Sequence, residues 1–153
     1  MYSLRSAFTL AATACLVSGS VAGPKANWLT GILGKPRAKV EATLGKPVRG
    51  SGVSAVYNYG ELKGIVVNYH NNKGNPMAGI DIPLGAETDY RNALKKVGLS
   101  PKGVTTRKST STTGVTYLWL DHIKGLPDPE YWAGFFVITP NAPSRLTIDD
   151  GTK

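Results

Sequence analysis

From residue 53 onward the hydrophobic and polar positions alternate. In 53–59, Val53, Ala55, Tyr57 and Tyr59 fall on one face of a strand. Residues 62–69 form a partner strand after Gly60-Glu61, a Gly-X pair suited to a two-residue hairpin turn. Asn71-Asn72-Lys73-Gly74 signals another turn, and a third strand at 78–82 sets Ile80 and Ile82 against Asp81.

Before residue 53 the rhythm is helical. Asn27 is placed to cap a short helix carrying Trp28, Leu29, Ile32 and Leu33. Gly34 offers a left-handed exit, and Pro36 both stops that helix and starts the next one. The second helix carries Val40 and Leu44 inward and Arg37, Lys39 and Glu41 outward, and ends at Gly45 and Pro47.

After Pro83 the order repeats. A helix opened by Glu87 or Thr88 carries Tyr90, Ala93, Leu94 and Val97 at i, i+3, i+4 and i+7. Lys95 and Lys96 complement the dipole of its last turn, and Gly98 closes it. A weak strand at 104–108 follows, then a polar, mobile linker at 109–114. Residues 115–123 are apolar enough for a strand buried on much of both faces, and strands at 133–139 and 145–149 complete the pattern. The expected class is α+β: a short helix pair and an antiparallel sheet, arranged as two helix-then-strands units in tandem. The expected division is a signal peptide at 1–22, a first unit at 23–83 and a second at 84–153, the two sharing one globule.

The Leu-Gly-Lys-Pro repeat at 33–36 and 44–47 belongs to a longer pattern. Gly34-x-Pro36, Val40, Leu44-Gly45-x-Pro47, an aromatic hairpin and a strand near Asn72-Lys73-Gly74 together resemble the BamE/SmpA-like (SmpA/OmlA-like) domain. The resemblance runs from Trp28 to Ile82. It implies a short helical pair on an antiparallel sheet, a fold shared in outline with the β-lactamase-inhibitor proteins. Members of these groups work by binding: BamE relatives help assemble outer-membrane proteins, and the inhibitors plug enzyme clefts. No catalytic residue is implied.

Charge and compartment alter this picture next. Arg5 is the sole charge in residues 1–22, an apolar run too short to span a bilayer follows it, and Ser20-Val21-Ala22 is a small-x-small site with cleavage expected between Ala22 and Gly23. Export to the periplasm or the exterior of a bacterial cell is therefore expected. Cys15, the one cysteine, lies in that segment, so the mature chain has no thiol for disulfides, nucleophilic catalysis or thiolate metal sites. Ala12-Thr13-Ala14-Cys15 is a poor lipobox, because alanine stands where a larger apolar residue is usual; a lipid anchor is not expected. Net charge is +8, or +7 once Arg5 leaves (17 basic side chains against 10 acidic). Residues 23–50 hold six basic side chains and one acidic. A basic field on an exported protein favours a protein surface or an anionic envelope polymer or lipid as partner, and not nucleic acid.

Signals for chemistry are sparse. His70 and His122 have no metal-ligand spacing, the Gly-x-Ser-x-Gly elbow is absent, and Arg49-Gly50-Ser51-Gly52 lacks the features of a phosphate loop. Neither a metal nor a cofactor is expected. The functional expectation is a non-enzymatic interaction protein of the cell envelope. Its contact residues are expected to be Tyr57, Tyr59, Tyr69, Trp119 and Trp132 on a sheet face, with Lys35, Arg37 and Lys39 on the basic helices. The alternative is a small exported hydrolase using His122 or His70, which requires a carboxylate or hydroxyl close to the ring in a pocket.

Overall fold

The structure is a computed structural model that describes residues 27–127 and 132–150. The expected signal peptide, its cleavage site and Cys15 lie outside the described residues.

Seven strands make one antiparallel sheet: β1 (Ser54–Tyr59), β2 (Leu62–Tyr69), β3 (Met77–Gly85), β4 (Thr105–Thr110), β5 (Thr116–Asp121), β6 (Ala133–Ile138) and β7 (Ser144–Asp149). Their spatial order is β1-β2-β3-β7-β6-β5-β4. Each half of the chain is a meander, and the meanders join where β3 pairs with β7, Ile80 opposite Ile148 and Ile82 opposite Leu146. The chain must therefore travel from β3, third in the sheet, to β4 at its far edge. Helix α2 (Tyr90–Lys96) lies on that crossing, and α1 (Arg37–Leu44) precedes the sheet.

α1 forms where its punctuation allows. Pro36 precedes it with φ −56°, Val40 and Leu44 bury its inner side, and Gly45 leaves it at φ 87° with its N–H on the Glu41 carbonyl. Arg37 and Glu41 pair across one turn at 2.7 Å. α2 is capped by Asp89, whose side chain accepts the Arg91 N–H, and buries Ala93 and Leu94. Both helices pack on the same sheet face. Leu29, Ile32, Val40, Leu94, Tyr57, Ile80, Phe136 and Leu146 belong to one hydrophobic cluster that spans both halves.

Several expectations change here. Among the described residues two helices of eight and seven residues stand against seven strands in a single sheet, so this fold is sheet-dominated and not a tandem of balanced helix-then-strands units. β7 pairs with β3, so the ladder runs unbroken from one half of the chain to the other. Residues 27–34 are turns instead of a helix: Asn27 has φ 62°, and its carbonyl takes the Gly31 N–H and the Thr30 hydroxyl. Trp28, Leu29, Ile32 and Leu33 are nonetheless buried. The polar linker at 109–114 is structured as the end of β4 and a tight turn, with the Ser111 N–H on the Val115 carbonyl, the Gly114 N–H on the Ser111 carbonyl and Gly114 at φ 80°. In β5 only Leu120 is fully buried; Tyr117 and Trp119 lie on the face that neither α1 nor α2 covers.

Candidate functional site

Strand parity assigns every side chain to one of two faces. The helix-covered face holds the core. The other face carries a row that crosses all seven strands, read from the pairings Arg107–Trp119–Phe135–Thr147–Asp81–Val66–Val56. The next row contains Ser109, Tyr117, Val137, Arg145 and Pro83. Neither helix covers this face.

Its aromatic end has defined geometry. The Trp119 ring lies 6.1 Å from Phe135, edge-on at 68°, and 6.4 Å from Tyr117. Such pairs are worth ~0.5–1.5 kcal/mol beyond the area they bury. The Arg107 guanidinium sits 6.0 Å from the Trp119 centroid, while its Nε meets Asp121 at 3.2 Å. Val137 is 4% exposed yet stands outside the core cluster; its cover comes from neighbours on the open face. Tyr117 is 37% exposed and Arg145 is exposed. The Thr147 hydroxyl donates to Asp81. Tyr117, Trp119, Phe135, Val137, Arg145 and the Thr147–Asp81 pair line a shallow depression of about 400 Å³. Flat rings, a cation and a hydrogen-bonded carboxylate side by side suit binding of a flat partner surface.

A larger depression, about 530 Å³, lies at the sheet end between Glu61, Lys63, Pro83, Leu84 and Lys96. Its walls hold no aromatic ring, histidine or hydroxyl, so size alone does not mark the site.

The structure divides the expected contact set. Tyr57 and Tyr69 face the core, 0% and 4% exposed, and their hydroxyls share a hydrogen bond of 2.7 Å. Burial, and then the Tyr57 hydroxyl, hold the Tyr69 hydroxyl protonated above the ordinary tyrosine range. Tyr59 packs against the core with its ring 5.0 Å from Trp28, and Trp132 is buried. Of the five aromatics only Trp119 lies on the open face. Tyr117 and Phe135 join it, and strand alternation carried that signal: 117, 119 and 121 share one parity. Arg37 is half-buried and engaged within the fold, with its Nε on Glu41, its Nη1 on the Gly52 carbonyl and its guanidinium 5.3 Å from the Tyr69 ring. The hydrogen bond to Glu41 raises its pKa. Lys35 and Lys39 are exposed, but they flank the helix layer and not the aromatic face.

The two histidines are also placed. His70 Nε2 meets the buried Asp150 Oδ2 at 2.5 Å, tying the end of β2 across β3 to the end of β7. That pair lines none of the depressions described. His122 is exposed at φ 64° and borders a depression of about 280 Å³ with Asp121, whose carboxylate is engaged by Arg107. Among the described residues no cluster of three His, Cys, Asp or Glu side chains could hold a metal ion, and no helix is long and apolar enough to cross a membrane.

No protein-family model matches the chain, and no curated protein does. A solved structure, that of the DUF4309 family protein YjgB from Bacillus subtilis strain 168, is 19% identical with a TM-score of 0.41, over 75% of this chain and 78% of that one. A similarity of that size assigns neither family nor function. The resemblance implied a helix pair on a three-stranded meander, and the described residues form neither: 27–34 are turns and the sheet has seven strands. β3 pairs on its far side with β7, and the sheet runs on through β6, β5 and β4, so the BamE/SmpA-like resemblance is withdrawn.

Proposed function

We propose that the chain is an exported protein of the bacterial cell envelope that binds another protein, without catalysis, through the uncovered face of its sheet. The observation that carries this reading is the contiguous group of Tyr117, Trp119 and Phe135 on a face that neither α1 nor α2 covers, with Arg107 and Arg145 beside it. Tyr, Trp and Arg are the residue types that dominate binding energy at protein interfaces, because they offer large, stiff contact area with a polar tip. The apolar run before Ala22 supports export, and the absence of a thiol from the mature sequence suits any redox compartment.

The test is crosslinking capture from the native envelope with the wild-type chain, Trp119→Ala and Phe135→Ala. Each variant is expected to lower recovery of the captured protein at least about tenfold, the usual effect of removing a central aromatic contact. Equal recovery by all three chains would sink the open face as the contact. Recovery abolished by salt alone and indifferent to both rings would favour charge-driven adhesion to an envelope polymer.

A further inference from the structure

The two edges of the sheet are not alike. β1 is covered along its middle by residues 48 and 49: the Val48 N–H donates to the Val56 carbonyl at 2.8 Å, and the Val56 N–H to the Arg49 carbonyl at 2.9 Å. β4, at the other edge, has one neighbour, β5, in a register without a bulge, and all six of its residues are exposed. Native sheets blunt such edges with a covering loop, proline, a bulge or charged side chains, and of these β4 has only the charges of Arg107 and Lys108.

Hydrogen-bond alternation shows what that edge offers. Ser111 and Val115 are a bonded pair, as the Ser111 N–H on the Val115 carbonyl shows. Counting back in twos, the peptide groups of Ser109, Arg107 and Thr105 point to β5. Those of Thr106, Lys108 and Thr110 point outward, and no backbone bond uses them among the described residues. A row of three donors and three acceptors, ~20 Å of strand, stands free.

Charge selects what fits. β4 carries Arg107 on the open face and Lys108 on the other, and no acid. Lys102 precedes it, and Lys124 lies close to Gly103 at its start. Asp121, bound to Arg107, is the one carboxylate opposite. A second copy of the chain is a poor occupant. A two-fold axis at Arg107 sets that guanidinium against its own copy, and an axis at Lys108 does the same for the Lys108 ammonium.

We propose that the free edge of β4 takes an acidic, extended segment of a partner protein as an eighth strand. Main-chain bonds to Thr106, Lys108 and Thr110 supply affinity. Carboxylates on both faces of the added strand meet Arg107 and Lys108 and supply selectivity. The segment would continue the open-face row beyond Arg107, beside Trp119. The proposal rests on the reading that the chain binds a protein, and adds where the partner's backbone docks.

The probe is an eight-residue blocked peptide, Thr-Val-Thr-Glu-Glu-Val-Thr-Val, with its Lys-Lys counterpart as the comparison. Binding is followed by amide hydrogen exchange on the full chain. The Glu-Glu peptide is expected to protect the amides of Thr106, Lys108 and Thr110, and the Lys-Lys peptide to protect none. Lys108→Pro removes an outward donor without touching the β4–β5 ladder, a position where proline is tolerated. It is expected to weaken binding about tenfold or more. Lys108→Glu leaves the backbone intact and keeps the test valid should the proline variant not fold; it is expected to shift preference toward the Lys-Lys peptide. Protection at other amides, equal binding of both peptides, binding unaffected by either substitution, or no binding at all would overturn the proposal. The readout is three backbone amides, whereas the open-face reading is tested at aromatic rings. Failure of either leaves the other measurement intact.

Discussion

Tyr57 and Tyr69 show how one atom changes the role of a residue. Both occur on strands, both are aromatic, and either could have served a surface. Buried side by side, each hydroxyl depends on the other. Tyr57→Phe leaves the Tyr69 hydroxyl without its buried partner and is expected to cost about 1–3 kcal/mol. Replacing both by Phe removes the polar pair together and is expected to recover most of that loss. Urea unfolding midpoints of the three chains give the comparison. A double variant as unstable as the sum of two single losses would mean that the pair is not a closed unit.

At the scale of elements, α2 is anchored by charge at both ends. Glu87 Oε1 accepts the N–H groups of Thr88 and Asp89, and its Oε2 meets Lys96 Nζ at 3.1 Å. The Asp89 N–H, followed by Lys96, holds the Glu87 carboxyl below its usual range. A depressed folded-state pKa means that the stabilisation is present above the unfolded value and is lost as pH falls through the folded one. Wild-type stability is therefore expected to fall more steeply than that of Glu87→Gln as pH drops below the ordinary glutamate range. Parallel stability–pH curves for the two chains would rule this out. α1 and the β1–β2 hairpin were legible in the sequence because their signals are local. Gly34, Gly45 and Gly60 all take positive φ, and β2 spans the expected residues. Residues 27–34 were misread because an i, i+4 apolar spacing is also satisfied by successive turns over a core. The turn at 111–114 was misread because Ser and Thr are common both in linkers and in hairpins.

For the whole molecule, one cluster of side chains reaches from Leu29 to Ile148. Two meanders that share a core and a β3–β7 ladder are expected to unfold together. Chains that retain a single tryptophan, Trp28 for the first half or Trp119 for the second, report on each half separately. Coincident urea transitions are expected; two separate midpoints would show two folding units. Amphipathic alternation along the first two strands, the helix exits at glycine and the basic character of the N-terminal third were determined by the sequence alone, because each depends on neighbours a few residues away. Which face the helices cover, and so which aromatics remain outside, was decided by tertiary structure. Tyr57 and Trp119 look alike as strand aromatics; pairing across six strand-to-strand ladders puts one under α1 and α2 and the other on the open side. The unpaired edge of β4 is likewise a property of strand order. A six-residue stretch of Thr, Arg, Lys and Ser contains no record of being last in the sheet.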